Sequence, residues 1–179
     1  MRLYPSVMGG QWEHLPAAIR RAHLSADTLR GRFDVQHGKS RLARLVARLI
    51  RCPREAAVVP VTLHIDADGA CESWHRTFGD RRVTTRQRTS EAGVLDEQIG
   101  ILELRFRLDG DPDALRFRQV GARARLAGLS VPWPRWCRPH VDAVERAEPG
   151  GVGVRVEVSL PGVGLLMSYA GHLDVPAAP

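Results

Sequence analysis

From Val58 onward the apolar residues of this chain recur at every second position, and the rhythm lasts until the sequence is nearly spent. Successive side chains of an extended strand point to opposite faces of a sheet, so this period marks half-buried β-strands. Val61, Leu63 and Ile65 alternate with Thr62, His64 and Asp66, and Asp68-Gly69 supplies a tight hairpin turn. Residues 71 to 78 read as the returning strand, and residues 82 to 89 as a polar, β-branched one. In 101 to 108, Leu102, Leu104, Phe106 and Leu108 share a face against Glu103, Arg105 and Arg107. In 115 to 126 the apolar parity shifts between Phe117 and Val120, which predicts a β-bulge. Residues 128 to 140, rich in Pro and Trp, form an irregular excursion. Residues 141 to 147, 152 to 160 and 163 to 173 read as three strands joined at Pro149-Gly150-Gly151 and Pro161-Gly162.

Before this region the period is helical. Trp12, Leu15, Ile19 and Ala22 fall at spacings of three and four, predicting a short amphipathic helix over 11 to 24 with Pro16 near its start. Residues 29 to 37 read as a first strand ended by Gly38. Ser40 is a good N-cap for a second helix, in which Leu42, Leu45, Val46, Leu49 and Ile50 form a stripe opposite Arg41, Arg44, Arg48 and Arg51. Pro53 stops it. Eight or nine strands with short turns and no strand–helix alternation exclude a parallel βαβ fold. The expected class is α+β, mostly β: a curled antiparallel sheet or barrel covered by two N-terminal helices. Residues 1 to 175 are read as one domain and 176 to 179 as a frayed tail.

The order and spacing of several short pieces resemble the DUF4166 family of uncharacterised bacterial domains. The pieces are Leu15-Pro16-x-x-Ile19-Arg20-x-x-His23, the Gly31-to-Gly38 strand running into Leu42-Ala43-Arg44-Leu45, and Trp74-x-Arg76-x-Phe78-Gly79. They continue with Gly128-Leu129-x-Val131-Pro132, Glu145, and Gly164-Leu165-x-x-x-Tyr169-x-Gly171-x-Leu173. The resemblance implies an accessory or ligand-holding role, since members occur alone or joined to dehydrogenase-like nucleotide-binding domains or membrane segments. The expected protein partner is a separate dehydrogenase-like protein. The resemblance supplies no catalytic residue.

Strand parity singles out a few polar residues. Trp74 and Phe78 point inward, so Arg76 between them does too; Glu145 follows inward Val141 and Ala143; Tyr169 shares a face with Val163, Leu165, Met167 and Leu173. A buried charge needs a partner, so Arg76 and Glu145 are expected near each other with the Tyr169 hydroxyl in reach. Such a cluster either orients a ligand in an apolar pocket, with Trp74, Arg76, Glu145 and Tyr169 as binding residues, or is a structural ion pair reaching toward the barrel's mouth. Trp133 and Trp136 flank Pro134 and are expected to plug one barrel end or to form a partner surface.

Other chemistry finds little support. The seven histidines make no HxH or HExxH spacing, and no GxSxG is present, so no metal, cofactor or nucleophile is expected. Asp96 and Glu97 are adjacent and would face opposite sides of a strand, a poor acid–base pair. The glycines at 150, 151 and 153 make a turn, not a phosphate cradle. Cys52, Cys71 and Cys137 are odd in number and lack a CxxC, which argues against disulfides or structural zinc and for a reducing, cytoplasmic setting. The start of the chain shows no signal-peptide pattern, and no apolar run approaches the ~20 residues of a membrane span. The net charge of +6 comes almost wholly from arginine, with Lys39 the only lysine, and is scattered among 20 acids. It reads as a GC-rich genome's composition, so no nucleic-acid partner is expected. The basic face of the second helix is expected to be solvated, not membrane-bound. The expectation for function is a non-catalytic domain holding a small apolar or amphiphilic, acyl- or lipid-like ligand. The alternatives are an enzyme using Glu145 as acid or base, or an interaction module for a redox enzyme.

Overall fold

The computed structural model describes residues 2–25, 27–50, 52–126 and 129–176. Arg51, Gly128 and all of the expected tail except Pro176 lie outside the described residues. Ten strands close into one antiparallel ring: β1 (Leu29–His37), β2 (Ala56–Asp68), β3 (Cys71–Phe78), β4 (Arg81–Glu91), β5 (Val94–Ile99), β6 (Leu102–Gly110), β7 (Ala114–Leu126), β9 (His140–Glu148), β10 (Gly151–Leu160) and β11 (Gly164–Asp174). A short eleventh strand, β8 (Leu129–Pro132), adds to β7 outside the ring. Every seam joins ring strands that follow one another in sequence, except the one that closes the barrel, β1 against β11. The two strands beyond the expected nine are β5 and β8. Val94-Leu95-Asp96-Glu97 lacks clean alternation, and β8 is only four residues long inside the irregular excursion. The predicted bulge is present: Arg105 pairs with Gly121 and Phe106 with Gln119, leaving Val120 as the extra residue.

The interior face carries the predicted parity. Val61, Leu63 and Ile65 on β2, and Leu104, Phe106 and Leu108 on β6, are buried. The outer wall is charged or polar, as at Arg30, Arg32, Asp34 and Gln36 of β1, which are all exposed. That differs from the apolar band of a lipid-spanning barrel. Among the described residues no helix is long and apolar enough to cross a membrane.

One end of the barrel is stopped by helices. These are α1 (Leu3–Met8), a 3₁₀ segment (Gly9–His14) and α2 (Ala17–Leu24). The sequence predicts one helix over 11 to 24; the structure breaks it at Leu15, whose backbone is extended (φ −67°, ψ 146°). A proline forces the residue before it out of the helical region, so Pro16 ends one segment and precedes the next. The stripe itself holds, with Trp12, Leu15, Ile19 and Ala22 all buried. Helix α1 was not foreseen. The helices sit directly on β6: a Cβ on Gly110 would lie 2.8 Å from Met8 Cε and 2.9 Å from Leu15 Cδ2.

At the opposite end lie α3 (Arg41–Leu49), the β5–β6 and β10–β11 turns, and the excursion between β7 and β9. Ser40 caps α3 as predicted, its Oγ accepting from the Ala43 N–H at 3.0 Å. Only Ala43 and Ala47 of the helix are buried. The small alanine face lets α3 lie close on β1 and β11 beside Gly38, and this orientation leaves Leu42, Leu45 and Leu49 exposed.

The closing seam is tight. The register runs from Arg30↔Asp174 to His37↔Met167. A Cβ on Gly31 would stand 2.0 Å from the His172 carbonyl oxygen, and one on Gly171 would stand 2.2 Å from the Arg32 carbonyl oxygen and 2.6 Å from Phe33 Cγ. The Gly171→Ala substitution therefore forces backbone apart and should cost about 1–3 kcal/mol, seen as a lower urea midpoint. Gly10→Ala, where nothing lies within 4 Å of the added carbon, should change stability by less than about 0.5 kcal/mol.

Candidate functional site

The closed ring is wider than its side chains fill. A cavity of about 610 Å³ runs inside it, within the range that holds small molecules. Its walls are apolar, with Phe33, Val61, Leu104, Phe106, Val152 and Val156 among them. Tyr4 and His23 from the helical plug form its floor. Val46, Ile50, Pro53, Ile101 and Leu160 surround its mouth at the α3 end.

Polar groups enter this lining at two levels. Nearer the mouth, Arg76 reaches across β4: its Nη1 donates to Thr85 Oγ1 at 3.1 Å and to Glu97 Oε1 at 3.3 Å. Its guanidinium carbon stands 4.8 Å from the centre of the Trp74 ring, a cation–π contact. The Trp74 indole N–H donates to Glu72 Oε2 at 3.2 Å, and Glu72 Oε1 accepts from the Leu3 N–H at 3.0 Å. Glu72 thus fixes the tryptophan and ties the plug to β3. Tyr169 meets Phe78 and Phe33 edge-on at centroid distances of 5.1 and 5.9 Å.

At the floor, His23 Nε2 donates to Glu145 Oε2 at 2.8 Å, and the Tyr4 ring lies 3.9 Å from the imidazole centre. The Tyr4 hydroxyl and His23 Nδ1 are buried with no hydrogen-bond partner among the described residues. Buried polar groups are ordinarily paired, so both are sites where a ligand's polar atom or a water would be stabilised.

Trp74, Arg76, Glu145 and Tyr169 all line the one cavity, but the expected Arg76–Glu145 pair does not form. Arg76 lies in the half of β3 toward the mouth and Glu145 in the half of β9 toward the plug, so each finds a nearer partner: Glu97 for the arginine, His23 for the glutamate. On β11 a register shift opposite Val158/Ser159 turns Leu165 outward and leaves Leu166 buried; Met167, Tyr169 and Leu173 keep the predicted face. Glu97, Glu72 and His23 were not assigned to the site from sequence. Within β5, Glu97 shares parity with Leu95 and Ile99, a signal of use only once the segment is known to be a strand, and Glu72 shares parity with Trp74. Nothing in the sequence pairs His23 with Glu145. The two excursion tryptophans divide: Trp133 lines the cavity and donates to the Cys137 carbonyl at 2.9 Å, while Trp136 projects outward.

The field inside the barrel follows from this placement. Burial is the largest single influence on Arg76 and opposes its charge, but the Glu97 carboxylate, joined by Tyr169 and Tyr4, holds the guanidinium above its ordinary pKa. Burial raises the Tyr169 phenol, helped by Glu97 and Glu145 against the pull of Arg76. Tyr4 is raised well above its ordinary value, by burial first and then by Glu145, Glu97 and Glu72. Burial pushes the Cys52 thiol at the mouth up to about 11, which favours its protonated form at neutral pH. Among the described residues no three His, Cys, Asp or Glu side chains gather as a metal would need.

Tyr4 and Tyr169 are the only tyrosines, so the alkaline titration reads them directly. Their folded pKa values lie above the unfolded value near 10.0. Above pH 10 the unfolded state binds fewer protons than the folded one, so stability is full below that pH and falls as pH rises through the folded values. Absorbance at 295 nm should show neither phenol half-ionised at pH 10 in the folded chain, with tyrosinate appearing together with unfolding. The Tyr4→Phe/Tyr169→Phe double substitution should remove the steep alkaline loss.

The same barrel occurs in solved structures of low sequence identity. One is a protein of unknown function from the DUF3598 family of Nostoc punctiforme, at 12% identity and a TM-score of 0.51, covering 83% of this chain. The chain spans 46% of that protein's length. Another is Rv2717c from M. tuberculosis, at 11% identity and a TM-score of 0.50, covering 91% of this chain and 99% of its own. These likenesses establish the fold alone. A search of curated proteins finds no match. The family model described as a domain of unknown function, DUF4166, matches residues 15–173, and the chain belongs to that family.

Proposed function

We propose that this domain holds a small apolar or amphiphilic molecule, acyl- or lipid-like, inside the barrel. The observation that carries the reading is the cavity of about 610 Å³, an apolar tube interrupted by Arg76, Glu97, Thr85 and Tyr169. Burial of a hydrocarbon chain supplies affinity at about 25 cal/mol per Å² of apolar surface removed from water. The polar cluster supplies orientation: Nη1 of Arg76 serves both Thr85 and Glu97, leaving its other donors for a head group. The His23–Glu145 pair favours a second reading, acid–base work on such a ligand, because a carboxylate holds the imidazole in one orientation and leaves Nδ1 free.

Protein purified from its own host should carry a small molecule visible by native mass spectrometry. Delipidated protein should bind the fluorescent acyl probe 11-(dansylamino)undecanoic acid. Val154→Trp, which fills the cavity from β10, should abolish probe binding. Arg76→Met combined with Glu97→Gln, which leaves no orphaned charge, should weaken it by about tenfold to a hundredfold, the worth of one charge-assisted hydrogen bond. Failure of the wild-type chain both to carry a molecule and to take up the probe would sink the proposal. Chemical alteration of the bound molecule, lost in Glu145→Gln while binding persists, would move the assignment to the second reading.

A further inference from the structure

Exposed apolar side chains are distributed very unevenly. Of the thirteen large ones among the described residues, only Leu24 and Val120 lie away from the cavity-mouth end. The rest sit on α3, on the ends of β2, β5, β6 and β11, and on the excursion, with Leu49 72%, Leu129 71% and Trp136 78% exposed. Single exposed apolar residues need no explanation, but a collection on one end of a barrel does.

Helix α3 shows what fits there. Its Ala43 and Ala47 face packs on the seam, while Leu42, Leu45 and Leu49, spaced three and four apart, make an uncovered stripe. On the far side of that stripe lie Arg41, Arg44 and Arg48. None of the three meets a carboxylate among the described residues, in contrast to the paired Arg76, Arg88, Arg105 and Arg125. From Val35 to Arg54 the sequence contains six basic residues and no acid. The helix therefore presents, in order around its axis, a protein-bound face, a greasy face and a cationic face. That is the cross-section of a helix lying in the plane of a bilayer interface.

We propose that the mouth end of the barrel docks on an anionic lipid bilayer. Leu42, Leu45 and Leu49 enter the acyl boundary, and Arg41, Arg44 and Arg48 lie among anionic headgroups. Charge selects this occupant over a second copy of the chain: a two-fold interface built on α3 would bring two unneutralised arginine rows together. The inference stands on the surface alone and does not depend on what the cavity holds.

The test is co-sedimentation of the full chain with phosphatidylcholine vesicles, with and without phosphatidylglycerol. Binding is expected only with phosphatidylglycerol and should weaken as salt rises. Leu45→Glu/Leu49→Glu and, separately, Arg44→Glu/Arg48→Glu should each weaken it by about tenfold or more. These side chains are exposed, so thermal unfolding should be unaltered, which separates lost docking from lost fold. Failure of the wild-type chain to sediment with anionic vesicles would overturn the proposal, as would sedimentation untouched by either pair. A solution dimer by light scattering that Leu45→Glu/Leu49→Glu converts to monomer would assign the face to a second copy instead.

Discussion

Everything inside this molecule depends on β1 finding β11. Seven of the other nine seams are hairpins closed by short turns; α3 intervenes between β1 and β2, and the excursion between β7 and β9. The closing seam joins residues near 30 to residues near 174 and removes the last free edges of the ring. Its geometry explains glycines at 31 and 171, where another residue's Cβ would run into backbone. The Phe33 ring lies over Gly171 and carries the contact on to Tyr169 and Phe78. On the outside of the same seam Gly38 lets α3 approach. One pairing therefore sets a wall of the cavity and the seat of the helix at its mouth.

The interior charges show how a cavity can be polar without being unstable. A buried ion pair seldom adds net stability, because desolvation offsets the attraction, yet removing one partner costs about 3–5 kcal/mol. Arg76 and Glu97 are locked together by that asymmetry, as are His23 and Glu145 by hydrogen bonding. Since these pairs contribute little to folding, they remain available to orient the polar group of the proposed ligand. The outer wall follows a different logic. Glu103 is fully covered by the side chains of Arg88 and Arg125, and Asp96 accepts from Arg105 and Ser90. Arg88, Arg105 and Arg125 thus have a structural role, each covering a buried carboxylate of the outer wall.

The sequence's legibility tracks the range of the forces involved. Alternation of side chains is local, so the β-rich barrel and the inward aim of Arg76, Glu145 and Tyr169 could be read from single strands. Partner identity is not local. Whether Arg76 meets Glu145 or Glu97 depends on how far each lies along the barrel axis, which strand register decides. Strand β5 escaped notice because both of its faces are buried, Asp96 outside beneath Arg105 and Leu95 inside, which erases the contrast alternation relies on. The apolar stripe of α3 was legible, but which part of it would be covered was not: two alanines, not the leucines, form the packed face.

The late position of β11 has a consequence for how the protein is made. Among the strands of the ring, β1 leaves the ribosome first, and the partner of its free edge, β11, leaves last. Until then the sheet is an open, greasy ribbon whose two unpaired borders, β1 and the newest strand, can pair with a neighbouring nascent chain. The inner chamber does not exist until that wait ends, so any guest must be loaded after β11 has emerged, and a transcript cut short before β11 would yield a strand donor in place of a closed ring.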